Sequence, residues 1–262
     1  MPRTLTLAHE EHLSLITLNR PERRNAISME LLDELLAALD ACAEHWGGRG
    51  GAVAVTGAGA AFCAGMDIEM LRELGRMGPA HAITDAQKMA RLFQRLYEFP
   101  LPTIAAVNGA AVAGGCGLAS VCDFTLAVPA ARFGYTEVRI GFLPALVATY
   151  LLRQIGEKRV RDLLLTGRLI SAAEAEAWGL VTQVVPEQEL LTHVRQLAAE
   201  LARNSPASLR ATKQLLQDLP IYARTEALSM AAKANAAMRT TADFREGLAA
   251  FLEKRPPHWT QS

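Results

Sequence analysis

Neither sign of charge is in excess in this 262-residue chain, since Lys plus Arg and Asp plus Glu both number 27. A neutral total removes the long-range field that would favour nucleic acid or an anionic membrane, so a charged ligand must be met by local groups. Cysteine is scarce. Cys42, Cys63, Cys116 and Cys122 lack the paired spacing of a zinc site, and their apolar neighbours read as buried thiols of a reducing compartment. No run approaches the ~20 apolar residues of a membrane helix. The opening "MPRTLTLAHEEHLSL" has no basic region followed by an apolar stretch, so no secretory signal is expected. The expectation is a cytoplasmic protein with no membrane segment, no metal and no nucleic-acid partner. Also missing are G-x-G-x-x-G in the right context, the Lys-Ser/Thr ending of a P-loop and a G-x-S-x-G elbow. Their absence argues against dinucleotide binding, nucleotide hydrolysis and the α/β-hydrolase type of acyl transfer.

What is present is a chain that is 50% hydrophobic, enough for a sizeable core. "LTLA" and "LSLITLN" flank the charged turn "HEEH" and predict a hairpin. Ser28 is a plausible N-cap for a helix through "MELLDELLAALDACAEH", whose leucines recur at helical spacing. "AVAVT" and "TIAAV" read as short buried strands, each followed by a glycine-rich loop and a helix, the helices starting near Asp67 and Gly115. A further amphipathic helix is predicted over about 85–98. Repetition of strand, loop and helix argues for a mainly parallel α/β sheet with ligand groups gathered at strand C-terminal ends. From Leu146 the pattern turns helical. "SAAE" at 171–174 is a capping box, Gly179 a C-cap before a short strand "LVTQVV", and helices are predicted from Pro186 to about Glu253 with breaks near Pro206 and Pro220.

The two glycine loops, "GAGAAFCAG" and "VAGGCGLASVCDF", expose backbone N–H groups at helix starts, and such donors can hold an anion or a developing oxyanion. Tight turns or close packing would explain the glycines equally well in either loop taken alone. Taken in order along the chain, "RPERRNAIS", "AFCAGMDI", "AAVNGAAVAGGCGLASVCDF", "FGYTEVRIGFLP", "LLLTGRLISAAEAEAWGLVTQVVP" and "GLAAFLEKR" resemble the crotonase superfamily, the enoyl-CoA hydratases and isomerases. The resemblance covers nearly the whole chain. It implies a crotonase-like core of repeated ββα units over 1–200 and a helical C-terminal region over 201–262 that serves assembly into a trimer or a dimer of trimers. It also implies a coenzyme A thioester as substrate, with coenzyme A entering as part of that substrate and no separate cofactor.

By the same resemblance, the backbone N–H groups of Met66 and Gly114 hold the thioester oxygen, and Glu137 is the acid/base. Arg24, Ala26, Ala64, Asp67, Ile68, Gly117, Phe142 and Lys254 are placed around the substrate, Arg24 and Lys254 as the cations for coenzyme phosphates. Leu71, Leu74 and Leu143 are further candidates for the acyl pocket. The chain departs from the two-glutamate pattern at Gly117, where hydratases with the full pair carry the first acid. Hydration needs a base for water and an acid for the α-carbon, whereas a double-bond shift can run on one carboxylate that removes and returns a proton. Isomerase-type chemistry is therefore favoured, with hydration as the alternative. Asp67, Glu69 and Asp123 are substitute acids, although each also reads as a helix-start or structural carboxylate. A hydrolase using Cys116 or Ser120, and an RNA-binding protein, are the remaining readings.

Overall fold

The computed structural model describes residues 2–47, 49–204, 206–218, 233, 236, 239, 240 and 242–255. The hairpin forms as expected from β1 (Leu5–His9) and β2 (Leu13–Leu18), paired antiparallel. Helix α1 (Met29–Trp46) starts where Ser28 accepts a hydrogen bond from the Leu31 N–H. Its buried residues, Leu31, Leu32, Leu35, Ala38, Leu39, Cys42 and Trp46, fall on one face, which is why this segment packs as a helix rather than a strand.

The next three units repeat one pattern. β3 (Ala52–Gly57) and β4 (Ala61–Cys63) precede α2 (Ile68–Leu74) and α3 (Pro79–Tyr97). β5 (Thr103–Val107) and β6 (Ala110–Val112) precede α4 (Gly114–Ser120). β7 (Phe124–Ala127) and β8 (Arg132–Gly134) precede a 3-10 turn, Glu137–Ile140, and α5 (Ala145–Gln154). The first strand of each pair joins a six-stranded sheet ordered β1-β2-β3-β5-β7-β10, in which β10 is Gln183–Val184, and the second joins a four-stranded sheet ordered β4-β6-β8-β9, in which β9 is Ile170–Ser171. This is the expected ββα repetition, and β2, β3, β5, β7 and β10 run parallel. "AVAVT" and "TIAAV" are buried on both faces, as central parallel strands must be.

The remainder is α6 (Gly156–Thr166), β9 (Ile170–Ser171), α7 (Ala172–Trp178), β10 (Gln183–Val184), α8 (Leu190–Ala202), α9 (Pro206–Asp218) and a last described helix, α10 (Ala242–Leu252). Ser171 caps α7 through the Glu174 N–H, and Gly179 ends it at φ +83°. Two boundaries differ from expectation. Helix α3 begins at Pro79, well before 85, because proline is favoured in the first turn and Gly78 supplies the extended N-cap. Only Gln183 and Val184 of "LVTQVV" pair as strand, because the Leu180 and Val181 N–H groups turn back onto the Ala175 carbonyl. The division expected at 200 falls inside α8, and the break near Pro220 lies outside the described residues. No described helix is long and apolar enough to cross a membrane.

Candidate active site

Three neighbouring strands set the geometry. β4, β6 and β8 are adjacent and parallel, with Cys63 opposite Ala111 and Val112 opposite Gly134. Their C-terminal ends therefore deliver Met66, Gly114 and Glu137 to one side of the four-stranded sheet. All three line a cavity of about 470 Å³.

Met66 sits in a single parallel bridge with Ile27. Ile27 donates to the Gly65 carbonyl at 2.7 Å and accepts from the Asp67 N–H at 2.9 Å, which turns the N–H of Met66 itself to the opposite side, toward the cavity. Gly114 is the first residue of α4, and its N–H has no partner within that helix. No acceptor is found for either N–H among the described residues. The two loops touch, since a β-carbon built on Gly114 would stand 3.8 Å from the Met66 nitrogen. Ahead of Gly114, Ala113 holds φ +51° and ψ −125°, a conformation that costs an alanine ~1–3 kcal/mol. That twist sets the direction of the next peptide and so the direction of the Gly114 N–H.

Glu137 opens the 3-10 turn. The residue as a whole is half-buried, yet its Oε2 is shielded from solvent and has no hydrogen-bond partner among the described residues. Desolvation raises its pKa to about 7, opposed by a hydrogen bond from its own backbone N–H. A carboxyl group near neutrality can both take and return a proton at physiological pH. The turn is fixed by Gly141 at φ +69° and by the Phe142 N–H, which donates to the Glu137 carbonyl at 2.9 Å. From behind it is held by α10, where Gly247 lies so close that an added β-carbon would be 2.1 Å from the Ile140 carbonyl.

The other acids are committed elsewhere. Asp67 caps α2 by accepting from the Glu69 N–H and pairs with Arg20 at 3.0 Å. Glu69 pairs with Arg23 at 3.4 Å. Asp123 accepts from the backbone and hydroxyl of Thr103 and from Lys213, and it does not line this cavity. Each of these carboxylates has a structural partner. Cys116 is buried with its thiol pushed up to about 12 by desolvation, the opposite of an activated nucleophile, and the Ser120 hydroxyl donates to the Gly117 carbonyl.

Of the remaining expected residues, Arg24, Ala26, Ala64, Asp67, Ile68 and Phe142 all line the cavity, together with Leu71 and Leu143. The side chain of Leu74 lies outside the described residues. Arg24 stands on a loop locked by Asn25, whose side chain donates to the Ala58 and Ala61 carbonyls and accepts from the Arg20 N–H. Its own backbone carbonyl accepts from Ala64 at 3.0 Å, so the cation is presented at the rim by a rigid turn. Lys254 is exposed just past Leu252, which with Phe251 contributes to the cavity wall. Gly117 is not part of the lining. It is buried inside α4, and a β-carbon there would stand 2.7 Å from both Phe93 Cζ and Val147 Cγ1, which do line the cavity.

Sequence reasoning did not single out Met89, Phe93 and Val147, nor Phe251 and Leu252, as cavity residues. Met89 and Phe93 share a helix face four residues apart, a spacing indistinguishable from ordinary core. It also missed Arg239, which is buried, pairs with Asp85, reaches Met66 Sδ at 3.9 Å and lies 5.7 Å from the Phe142 ring centroid.

The chain is similar to known proteins along nearly its whole length. The enoyl-CoA hydratase/isomerase family model matches residues 8–262. A Thermus thermophilus protein that carries an enoyl-CoA hydratase name is 48% identical over 95% of this chain and 97% of its own length. The 2,3-dehydroadipyl-CoA hydratase of Escherichia coli K12 is 36% identical over 97% of each. An enoyl-CoA hydratase/isomerase structure from Xanthobacter autotrophicus Py2 superposes with a TM-score of 0.89 at 31% identity, covering 97% of this chain and 98% of that one. With a matching family model across the chain, the crotonase fold and a site assembled from three adjacent strand ends, the chain belongs to the enoyl-CoA hydratase/isomerase family of enzymes.

Proposed function

We propose that this enzyme moves a carbon–carbon double bond within an acyl-CoA thioester, converting a 3-enoyl to a 2-enoyl chain. The observation that carries the reading is the single uncommitted carboxylate. Asp67, Glu69 and Glu137 are the acids lining the cavity, and only Glu137 has an oxygen buried without a partner among the described residues. The thioester oxygen accepts from the Met66 and Gly114 N–H groups, so the charge of a dienolate develops against two fixed donors. Losing one such donor costs ~3–4 kcal/mol of barrier stabilisation. Glu137 takes a proton from C2, electron density shifts onto the oxygen and through the C3–C4 bond, and the same proton is delivered to C4. No water is consumed and no other reactant is needed.

Coenzyme A is held as part of the substrate rather than as a cofactor, with Arg24 and Lys254 meeting its phosphates. The C-terminal region 201–262 is assigned to assembly into a trimer or a dimer of trimers, which light scattering on the purified protein tests. Hydration of a 2-enoyl-CoA is the second reading, favoured by the hydratase names of the relatives. Incubation with each thioester in turn, followed by mass spectrometry for the gain of water, separates the two. Rapid hydration that persists in Glu137→Gln would overturn the assignment.

A further inference from the structure

We propose that Phe93 and Val147 are specificity-determining residues that close the site against a second carboxylate and the water it would serve. This inference deepens the isomerase reading and rests on it. In this chain the loss of an acid at Gly117 is not a gap. The direction in which a side chain at 117 would grow is filled by Phe93 from α3 and Val147 from α5, both 2.7 Å from the β-carbon position. Phe93 and Val147 are 1% and 3% exposed, and both line the cavity beside Met89 and Leu146. A water needs two to four polar partners to be held. None of these four side chains offers one, apart from the weak thioether acceptor of Met89. The wall therefore gives an activated water no polar support on the Gly117 side of the site, where a second carboxylate would have held it, and the proton that Glu137 removes is kept for return to carbon.

The wall also predicts that restoring the acid alone fails. Glu at 117 would drive its side chain into the Phe93 ring and Val147, whereas Glu with both neighbours trimmed would reach the cavity. The test compares wild type, G117E, F93A/V147A and F93A/V147A/G117E on crotonyl-CoA (a 2-enoyl-CoA) and 3-hexenoyl-CoA, with circular dichroism as the check on folding. Expected is no gain of hydration in G117E and a gain of about 100-fold in the triple variant, the lower end of what a positioned acid–base group supplies. A gain of hydration in G117E equal to that of the triple variant overturns the proposal.

A second measurement covers failure of the triple variant to fold or to gain. In deuterium oxide, wild type should return mainly the abstracted proton to C4, and F93A/V147A should raise deuterium at C4 severalfold. An unchanged label in that variant overturns the proposal. Failure of the underlying reading looks different. It is read on wild type alone, as hydration without isomerisation, whereas the proposal fails on its own when wild type isomerises and G117E gains hydration as the triple variant does.

Discussion

Replacing Glu137 by glutamine removes one titrating group while changing almost no volume, so it isolates what burying this carboxyl costs the fold. Its pKa rises from 4.5 to about 7, with desolvation as the first cause. Below the unfolded pKa both states are protonated and the site costs nothing. As pH rises through 4.5 the unfolded chain releases the proton while the folded chain keeps it, so stability falls until about pH 7 and is level above that. A displacement of roughly 2.5 units at 1.36 kcal/mol each gives ~3 kcal/mol as an order-of-magnitude cost at pH 8. Urea denaturation of wild type and Glu137→Gln at pH 5, 6, 7 and 8 measures it. The stability difference between the two proteins should shift in favour of the glutamine variant by ~2–3 kcal/mol across this range, part of the full cost being already present at pH 5, with most of the change between pH 5 and 7. Activity should move the other way in wild type, rising with pH through about 7 as the base ionises, and should be lost in the variant. A stability difference that stays flat from pH 5 to 8 would refute the argument that this carboxyl is held protonated by burial.

Gly247→Ala should place a methyl against the Ile140 carbonyl and displace the turn that carries Glu137, costing ~1–3 kcal/mol of stability and lowering kcat more than it changes KM; steady-state kinetics beside a thermal melt read both. Arg24→Ala should raise KM for a coenzyme A thioester by about tenfold with kcat nearly constant, the loss of one charge-assisted contact, and a free N-acetylcysteamine thioester should show no such change. Asp123→Ala should leave turnover at the wild-type level while destabilising the protein by ~1–3 kcal/mol, because it strands the Thr103 N–H and Lys213; a drop in kcat at full folding would return Asp123 to the catalytic candidates.

Signals that act over a few residues were legible in the sequence. The Ser28 and Ser171 caps, the Gly179 stop, the hairpin and the buried strands all depend on neighbours within a turn or on the alternation along one element. The glycines in the first turn of α4 and the acid in "FGYTEV" were also legible, as motif positions in a family pattern. What stayed hidden were pairings between distant segments. Met89 and Phe93 on α3, and Val147 on α5, read as plain core because a helix face shows that it is buried and not what it is buried against. The buried Arg239–Asp85 pair joins residues far apart in the chain, and no local rule foretells it.

The sequence alone determined that a glycine stands at 117, where the family pattern carries a second acid, and it offered Glu137 as the leading carboxylate beside Asp67, Glu69 and Asp123. Only the tertiary structure decided what that means for the site. β4, β6 and β8 lie side by side, so the Met66 and Gly114 donors and the Glu137 carboxyl meet at one cavity. The packing of α3 and α5 on α4 fills the space beside Gly117. The reason is one of range: propensity and motif spacing are properties of neighbouring residues, whereas the desolvation that raises Glu137 and the apolar wall at Gly117 are produced by whole elements packed together.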